Sequence, residues 1–367
     1  MRKWFTYNVG SMPNVGNMGN PEVAEKFAAV NTPKPAVRGG GEVRPGERSW
    51  VVYIAQAIAR AVGISEPDES YGTKYRHYAG RALRGLWHWR RINRRIADGH
   101  LPNLGYAKWA EEDYENFKAS EKSKPTGARF MRGIATAWAI KLFSGVILFN
   151  QKKFEEKIVQ DAKEILALRK PGDPEIVLQF ELPLEMALGA LLPMPNWLRQ
   201  KFYGLFLRSI ERIILQLPEG TAFAFHLCWG DLGGRALVPR WLQAVGAKIA
   251  MVNAITALPL WENYRLFAIH DPFGDGRHAP RVTWWTRWRY ARRLNPLPEG
   301  VLYAFGIVHR NLRASKIAQI ANALADVLEK KGAAAFALST PCGMGRMITG
   351  RARELLESIR EAFSSLR

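Results

Sequence analysis

TAFAFHLCWGD (Thr221–Asp231) decides how this chain is read. Its first half is a short run of aromatic and small apolar residues, the pattern of a strand. The run ends in His226 and Cys228, two residues apart, so an extended backbone projects both side chains to one face. Imidazole and thiolate at that spacing suit two ligands of one zinc ion, which takes nitrogen at about 2.0 Å and sulfur at about 2.3 Å and can draw a third ligand from a distant strand end. The only other cysteine, Cys342, lies in STPCGMGR (Ser339–Arg346), at the end of another apolar run. A buried cysteine beside a core histidine is the bland alternative; the second thiol at a second strand end tips the balance towards a metal held by His226, Cys228 and Cys342.

Working outward, comparable runs occur at Thr6–Ser11, Arg129–Ile134, Glu175–Glu181, Lys248–Asn253, Leu266–Ile269, Val301–His309 and Ala334–Thr340. Helical periodicity fills Trp50–Val62, Tyr106–Lys118, Lys152–Arg169, Asn196–Gln216, Ala314–Lys331 and Gly350–Phe363. Strand alternating with helix predicts a parallel sheet with right-handed crossovers. Eight strands predict an α/β fold of the (β/α)8 TIM-barrel type, one domain over 1–367, with an elaborated basic insertion at 70–105. The Gly-, Pro- and Asn-rich stretch after Ser11 reads as loop. A barrel carries its chemistry at the carboxyl ends of its strands. Those ends are Ser11, Glu181, His226 with Cys228, Asn253, His270, His309 and Cys342.

The bulk properties narrow the class. A chain of 367 residues that is 47% hydrophobic can fill a large core. The most apolar stretch, Ile134–Phe149, is interrupted by Lys141 and does not reach the roughly 18–20 residues of a membrane span. Arg2 and Lys3 are not followed by the apolar segment of a signal peptide, which predicts a cytoplasmic protein. Two cysteines in a reducing compartment suit metal binding or catalysis better than a disulfide. The net charge is +20 and it is concentrated: Lys74–Arg95 holds eight basic residues and no acid, interleaved with Tyr75, Tyr78, Trp87 and Trp89, and Trp284–Arg293 reads WWTRWRYARR. Such patches attract nucleic acid by counterion release and stacking. No recognition module accompanies them, so nucleic acid is the less favoured partner and a solvated or anion-steering surface the preferred one.

FHLCWGD and PCGMGR resemble the zinc-ligand motifs of the carboxy-terminal barrel of cobalamin-independent methionine synthase, in the superfamily that also holds uroporphyrinogen decarboxylase. VGSMP (Val9–Pro13) resembles that barrel's Gly-Ser-Phe-Pro opening, LQFELP (Leu178–Pro183) its Gln-Ile-Asp-Glu-Pro strand, and FGIVH (Phe305–His309) a strand ending in histidine. PGERSW (Pro45–Trp50), ELPLEMAL, HLCWGDLGGRAL, HDPFGDG and CGMGR look closer still to stand-alone bacterial relatives of the synthase, for which the resemblance supplies a fold and no substrate.

The resemblance implies zinc-dependent methyl or alkyl transfer to a small thiol, with Zn2+ as cofactor and a methyl or alkyl donor as second substrate. Within that reading Glu181 binds a substrate amine or acts as base, Asp231 orients His226, and His309 serves as general acid. Ser11, Glu47, Arg48, Asn253 and Arg346 are the expected substrate-binding residues, Arg346 by bidentate pairing with an anion. Two departures stand out. Alignment through AVGAKIAMVN puts Asn253 where the family has a glutamate zinc ligand, and the family's Asp-Glu pair becomes Glu181 and Leu182. Two other readings compete: a metal-free lyase or decarboxylase like uroporphyrinogen decarboxylase, and a nucleic-acid or polyanion binder on a degenerate barrel.

Overall fold

The computed structural model describes residues 2–8, 34–39, 50–62, 89–123, 126–144, 150–230, 238–239, 243–274, 282–342 and 349–367. Eight strands close into a barrel in chain order: β1 (Trp4–Asn8), β2 (Pro35–Gly39), β3 (Arg129–Ala135), β4 (Ile176–Glu181), β5 (Ala222–His226), β6 (Arg265–Pro272), β7 (Leu302–Gly306) and β8 (Ala335–Ser339). Every neighbouring pair is parallel, and β1 closes the ring by pairing with both β2 and β8. The helices between strands return the chain from one barrel end to the other. They are α1 (Trp50–Val62), α2 (Trp89–Ala97) and α3 (Tyr106–Ser123) before β3, α4 (Ala137–Ser144) and α5 (Gln151–Ala167) before β4, and α6 (Pro183–Leu191) and α7 (Asn196–Ile214) before β5. α8 (Val245–Thr256), α9 (Trp284–Arg293), α10 (Ala314–Glu329) and α11 (Thr349–Phe363) follow β5, β6, β7 and β8. The expected TIM barrel is therefore present, and none of these helices is long and apolar enough to cross a membrane.

Alternation along each strand divides the buried residues into two cores. Outward-facing Phe180, Phe223, Phe225, Tyr303, Phe305 and Phe336 pack between sheet and helices. Each such fully buried aromatic contributes roughly 1.5–3 kcal/mol by leaving water. Inward-facing Met131, Val177, Ala222, Ala224, Ala268, Ala304 and Ala337 fill the barrel with Tyr7. The preponderance of alanine inside leaves width for rings: Tyr7 stacks on His270 at 5.5 Å and His270 on His226 at 4.6 Å. Gly133 and Gly306 extend the same economy. A Cβ on Gly133 would stand 3.0 Å from Glu181 Oε1, and one on Gly306 would stand 2.8 Å from Pro272 Cα and 3.1 Å from His270 Nε2.

Two segments differ from the sequence reading, and the differences cancel in the strand count. Lys248–Asn253 is not a strand; it lies inside α8. That helix is buried from Gly246 to Ile255, wedged between α7 and α9, so no polar face marks its period. The missing strand is β2, Pro35–Gly39, inside the stretch read as loop. Its proline takes the first strand position, where a missing N–H is least costly. The first strand also begins earlier than expected, at Trp4.

Candidate metal centre

The barrel register assembles the site. Glu181 on β4 lies opposite His226 on β5, and His226 opposite His270 on β6, so three polar side chains share the inner wall at the carboxyl end. Cys228 follows His226 by two residues, and Cys342 follows the end of β8 by three. The ligand atoms of His226, Cys228 and Cys342 all lie within 4.8 Å of one another. Sulfur and nitrogen atoms bound to one tetrahedral zinc at about 2.0–2.3 Å stand roughly 3.5–4 Å apart, so the three donors need only a small contraction. Cys228 is buried and Cys342 half-buried, which places the third donor on the solvent side.

Hydrogen bonding fixes which nitrogen of His226 faces the cluster. His270 Nε2 lies 3.0 Å from the Thr340 carbonyl oxygen, which can only accept, so this nitrogen carries the proton. In a neutral ring Nδ1 of His270 is then an acceptor. It lies 2.6 Å from His226 Nδ1, which must donate. His226 is thereby protonated at Nδ1 and presents the lone pair of Nε2, 3.7 Å from Glu181 Oε2. Burial keeps both rings neutral: it pulls His226 down to about 3 and His270 well below the ordinary histidine range.

The carboxylate is held by a second chain of bonds. The Tyr7 hydroxyl donates to Gln179 Oε1 at 2.5 Å, which orients the Gln179 amide so that its Nε2 donates to Glu181 Oε1, also at 2.5 Å. The other oxygen of Glu181 points at the imidazole lone pair. Nearby, a hydrogen bond with Cys342, burial and the Glu181 charge push the Cys228 thiol well above its ordinary range. The imidazole and the two sulfurs thus converge as electron donors, with the Glu181 carboxylate beside the imidazole. A divalent cation is the group that such a set fits, since it offsets the clash between the imidazole lone pair and the carboxylate and favours the thiolates.

The other residues singled out from the sequence fare differently. Asn253 does not line the barrel mouth. It sits near the carboxyl end of α8, towards the opposite end of the barrel, where its amide donates to Arg293 O at 2.8 Å and accepts from Asn295 N at 2.9 Å. It pins the segment after α9, and neither a ligand nor a substrate-binding role suits that position. His309 is buried three residues beyond β7, accepts from the Asn311 amide at 3.2 Å, and is outside the three-donor cluster. Ser11, Glu47, Arg48, Asp231 and Arg346 lie outside the described residues, as does most of the basic segment; its last part forms α2, with Ile92 and Ile96 buried and Arg91 and Arg94 exposed. Tyr7 and Gln179 were not anticipated, although Gln179 precedes Glu181 by two and so shares its face. His270 was recognisable as a strand end but not as the partner of His226.

No family model matches the chain, and no curated protein matches it. Among solved structures, a B12-independent methionine synthase from Shewanella sp. W3-18-1 in complex with selenomethionine is similar over 68% of this chain, at 13% identity and a TM-score of 0.44; the chain spans 65% of that structure's length. A Listeria monocytogenes structure named for a vitamin-B12-independent methionine synthase is covered over 98% of its length and 99% of this chain, at 12% identity and a TM-score of 0.45. A GH5-4 broad-specificity endoglucanase from Bacteroides salanitronis is similar over 64% of this chain and 81% of its own, at 11% identity and a TM-score of 0.26.

Proposed function

We propose that the protein is a zinc-dependent transferase that moves a methyl or other alkyl group onto a small thiol. The observation that carries this reading is the convergence of His226, Cys228 and Cys342, one imidazole and the chain's two thiols, at the carboxyl mouth of the barrel. A zinc ion bound there would lower the pKa of an incoming thiol while its sulfur stays nucleophilic. Two thiolates and a neutral imidazole nearly balance a dication, and three protein donors leave a fourth position for the substrate.

The chain's own residues have separable tasks in this scheme. His270 and the Thr340 carbonyl hold His226 with its Nε2 lone pair towards the cluster. Tyr7 and Gln179 hold Glu181 beside it, placed to take a proton from the substrate or to bind its amine. Asp231, His309, Ser11, Glu47, Arg48 and Arg346 keep the roles that the sequence suggests for them.

The test is zinc-dependent alkylation of a small thiol. Wild-type protein should catalyse it with a methyl or alkyl donor, and Cys342→Ser should lose both zinc and activity while circular dichroism shows the barrel intact. A Cys342→Ser protein that keeps full zinc-dependent activity would exclude this site.

A further inference from the structure

Outside the donor cluster, the surface carries apolar residues that the barrel does not need. Between α6 and α7 the chain reads LLPMPNWL (Leu191–Leu198), and its connection, residues 192–195, contains no polar side chain. It is nevertheless exposed: Leu191 by 52%, Leu192 by 41%, Trp197 by 63% and Leu198 by 41%. On α9, Trp284 and Trp285 are exposed by 59% and 60% and pack with Trp288 into a cluster, with ring centroids 4.8 to 6.4 Å apart. A capping box of Thr283 and Thr286 holds the first turn that presents them.

Both patches stand at the same end of the barrel. Helices that follow parallel strands begin at the strands' carboxyl ends. Asn196, which opens α7, abuts Gly246 in the first turn of α8, and Lys248 in that turn reaches Pro272 O at the end of β6. On the other flank of α8, Tyr290 reaches Asp271, also at the end of β6. Trp284 lies six residues before Tyr290 and so rises about 9 Å above that level. With α8 between them, α7 and α9 are separated by two helix spacings, roughly 16–20 Å. The patches are two parts of one rim.

The charge around them is basic. Lys201 sits over the Trp197 ring at 5.5 Å and Arg292 over Trp288 at 5.7 Å. α9 carries four arginines and no acid, in a chain of net charge +20. Exposed tryptophan and leucine flanked by lysine and arginine match the interface of a bilayer, where indoles sit at headgroup level and basic side chains reach the phosphates. Anionic lipid supplies the complementary charge. A nucleic acid would stack on the tryptophans but finds nothing in a Leu-Pro-Met-Pro segment to stack on or bond to. A second copy would bring arginines against arginines.

We propose that this rim is a docking surface for an anionic lipid bilayer, with Leu191, Leu192, Trp197, Leu198, Trp284 and Trp285 entering the interface. Docking holds the protein at the membrane surface without a span and sets the barrel mouth alongside the headgroups. The inference does not depend on zinc or on any reaction at the donor cluster.

Flotation of the full chain with vesicles tests it, using phosphatidylcholine alone and phosphatidylcholine mixed with phosphatidylglycerol. The protein should bind the anionic vesicles at least about tenfold more tightly than the neutral ones. The exposed double substitutions Leu192→Ser with Trp197→Ser, and Trp284→Ser with Trp285→Ser, should each weaken that binding about tenfold, with zinc content and circular dichroism unchanged. Failure of the wild-type protein to float at low salt would overturn the proposal. So would undiminished binding by both double variants, which would reduce the effect to bulk charge. Tight binding of single-stranded polyuridine, or self-association, that these substitutions abolish while vesicle binding is absent would assign the rim to a different partner.

Discussion

At the residue scale, the decisive feature is a proton whose position is set outside the donor cluster, through His270 and Thr340. The Thr340 carbonyl fixes the proton on His270 Nε2, and His270 in turn fixes that of His226. Phenylalanine at position 270 keeps a ring for the stack on Tyr7 but cannot accept from His226 Nδ1. His270→Phe should therefore lower zinc affinity about 10- to 100-fold, the usual effect of losing such an outer partner, in a competitive chelator titration. Unchanged affinity would show that the tautomer needs no such support. A second residue makes a prediction about pH. Glu185, at the start of α6, is fully buried; Thr136 donates to its Oε1 at 2.5 Å, Oε2 has no partner, and burial raises its carboxyl from the ordinary 4.5 to about 7. Its folded-state value lies above the unfolded one, so its favourable contribution is complete below about pH 4.5 and is lost as pH rises through about 7. Glu185→Gln should thus raise the melting temperature at about pH 8 and change it little at about pH 4, with a gain of up to about 3 kcal/mol at the higher pH. Equal shifts at both values would contradict this. The His-x-Cys spacing was legible because a strand's period of two decides it locally. The parts played by His270, Tyr7 and Gln179 were not, because they depend on register between strands and on the backbone carbonyl of Thr340, just beyond β8.

At the element scale, the chain's periodicity located seven of the eight strands and misplaced one. KIAMVN within α8 has the apolar density of a buried strand, and a helix packed on nearly every side loses the polar face that would reveal its period. PAVRG failed in the opposite way. It is five residues long, opens with proline and sits among glycines, yet the ring cannot close without it. The consequence for the site was direct, since misplacing a strand at Lys248–Asn253 brought Asn253 to the barrel mouth, whereas His226 has His270, delivered by β6, as its neighbour. The tight contact between β6 and β7 gives the test at this scale. Gly306→Ala puts a methyl group 2.8 Å from Pro272 Cα, backbone that cannot swing aside, and 3.1 Å from His270 Nε2. Denaturant unfolding should show a loss of about 1–3 kcal/mol, with zinc affinity reduced as His270 is displaced. Gly133→Ala meets only the end of the Glu181 side chain, at 3.0 Å, and should cost less stability. A Gly306→Ala protein as stable as wild type would mean that β6 and β7 can separate without cost.

At the scale of the whole molecule, closure makes the site. β5 and β8 are three strands apart around the ring, and only the closed barrel brings Cys342 to His226 and Cys228. Closure also draws the chain's two ends together: Trp4 Nε1 donates to Arg367 O at 2.7 Å, and Arg2 pairs with Asp326 and Glu329 on α10. The fold class was legible because alternating strand and helix permits few parallel architectures and the count of eight favours the closed one. The arrangement of basic and aromatic residues on the surface was not, because charge in sequence says nothing of which arginines share a face with exposed tryptophan. The most direct measurement of the central claim is the metal content of the full chain purified without added zinc and without chelators. About one zinc per chain is expected, falling on chelation or in Cys228→Ser and Cys342→Ser, and returning to the wild-type chain when zinc is restored. Protein that carries no stoichiometric metal and takes up none when zinc is added would contradict the account and return the barrel to metal-free chemistry.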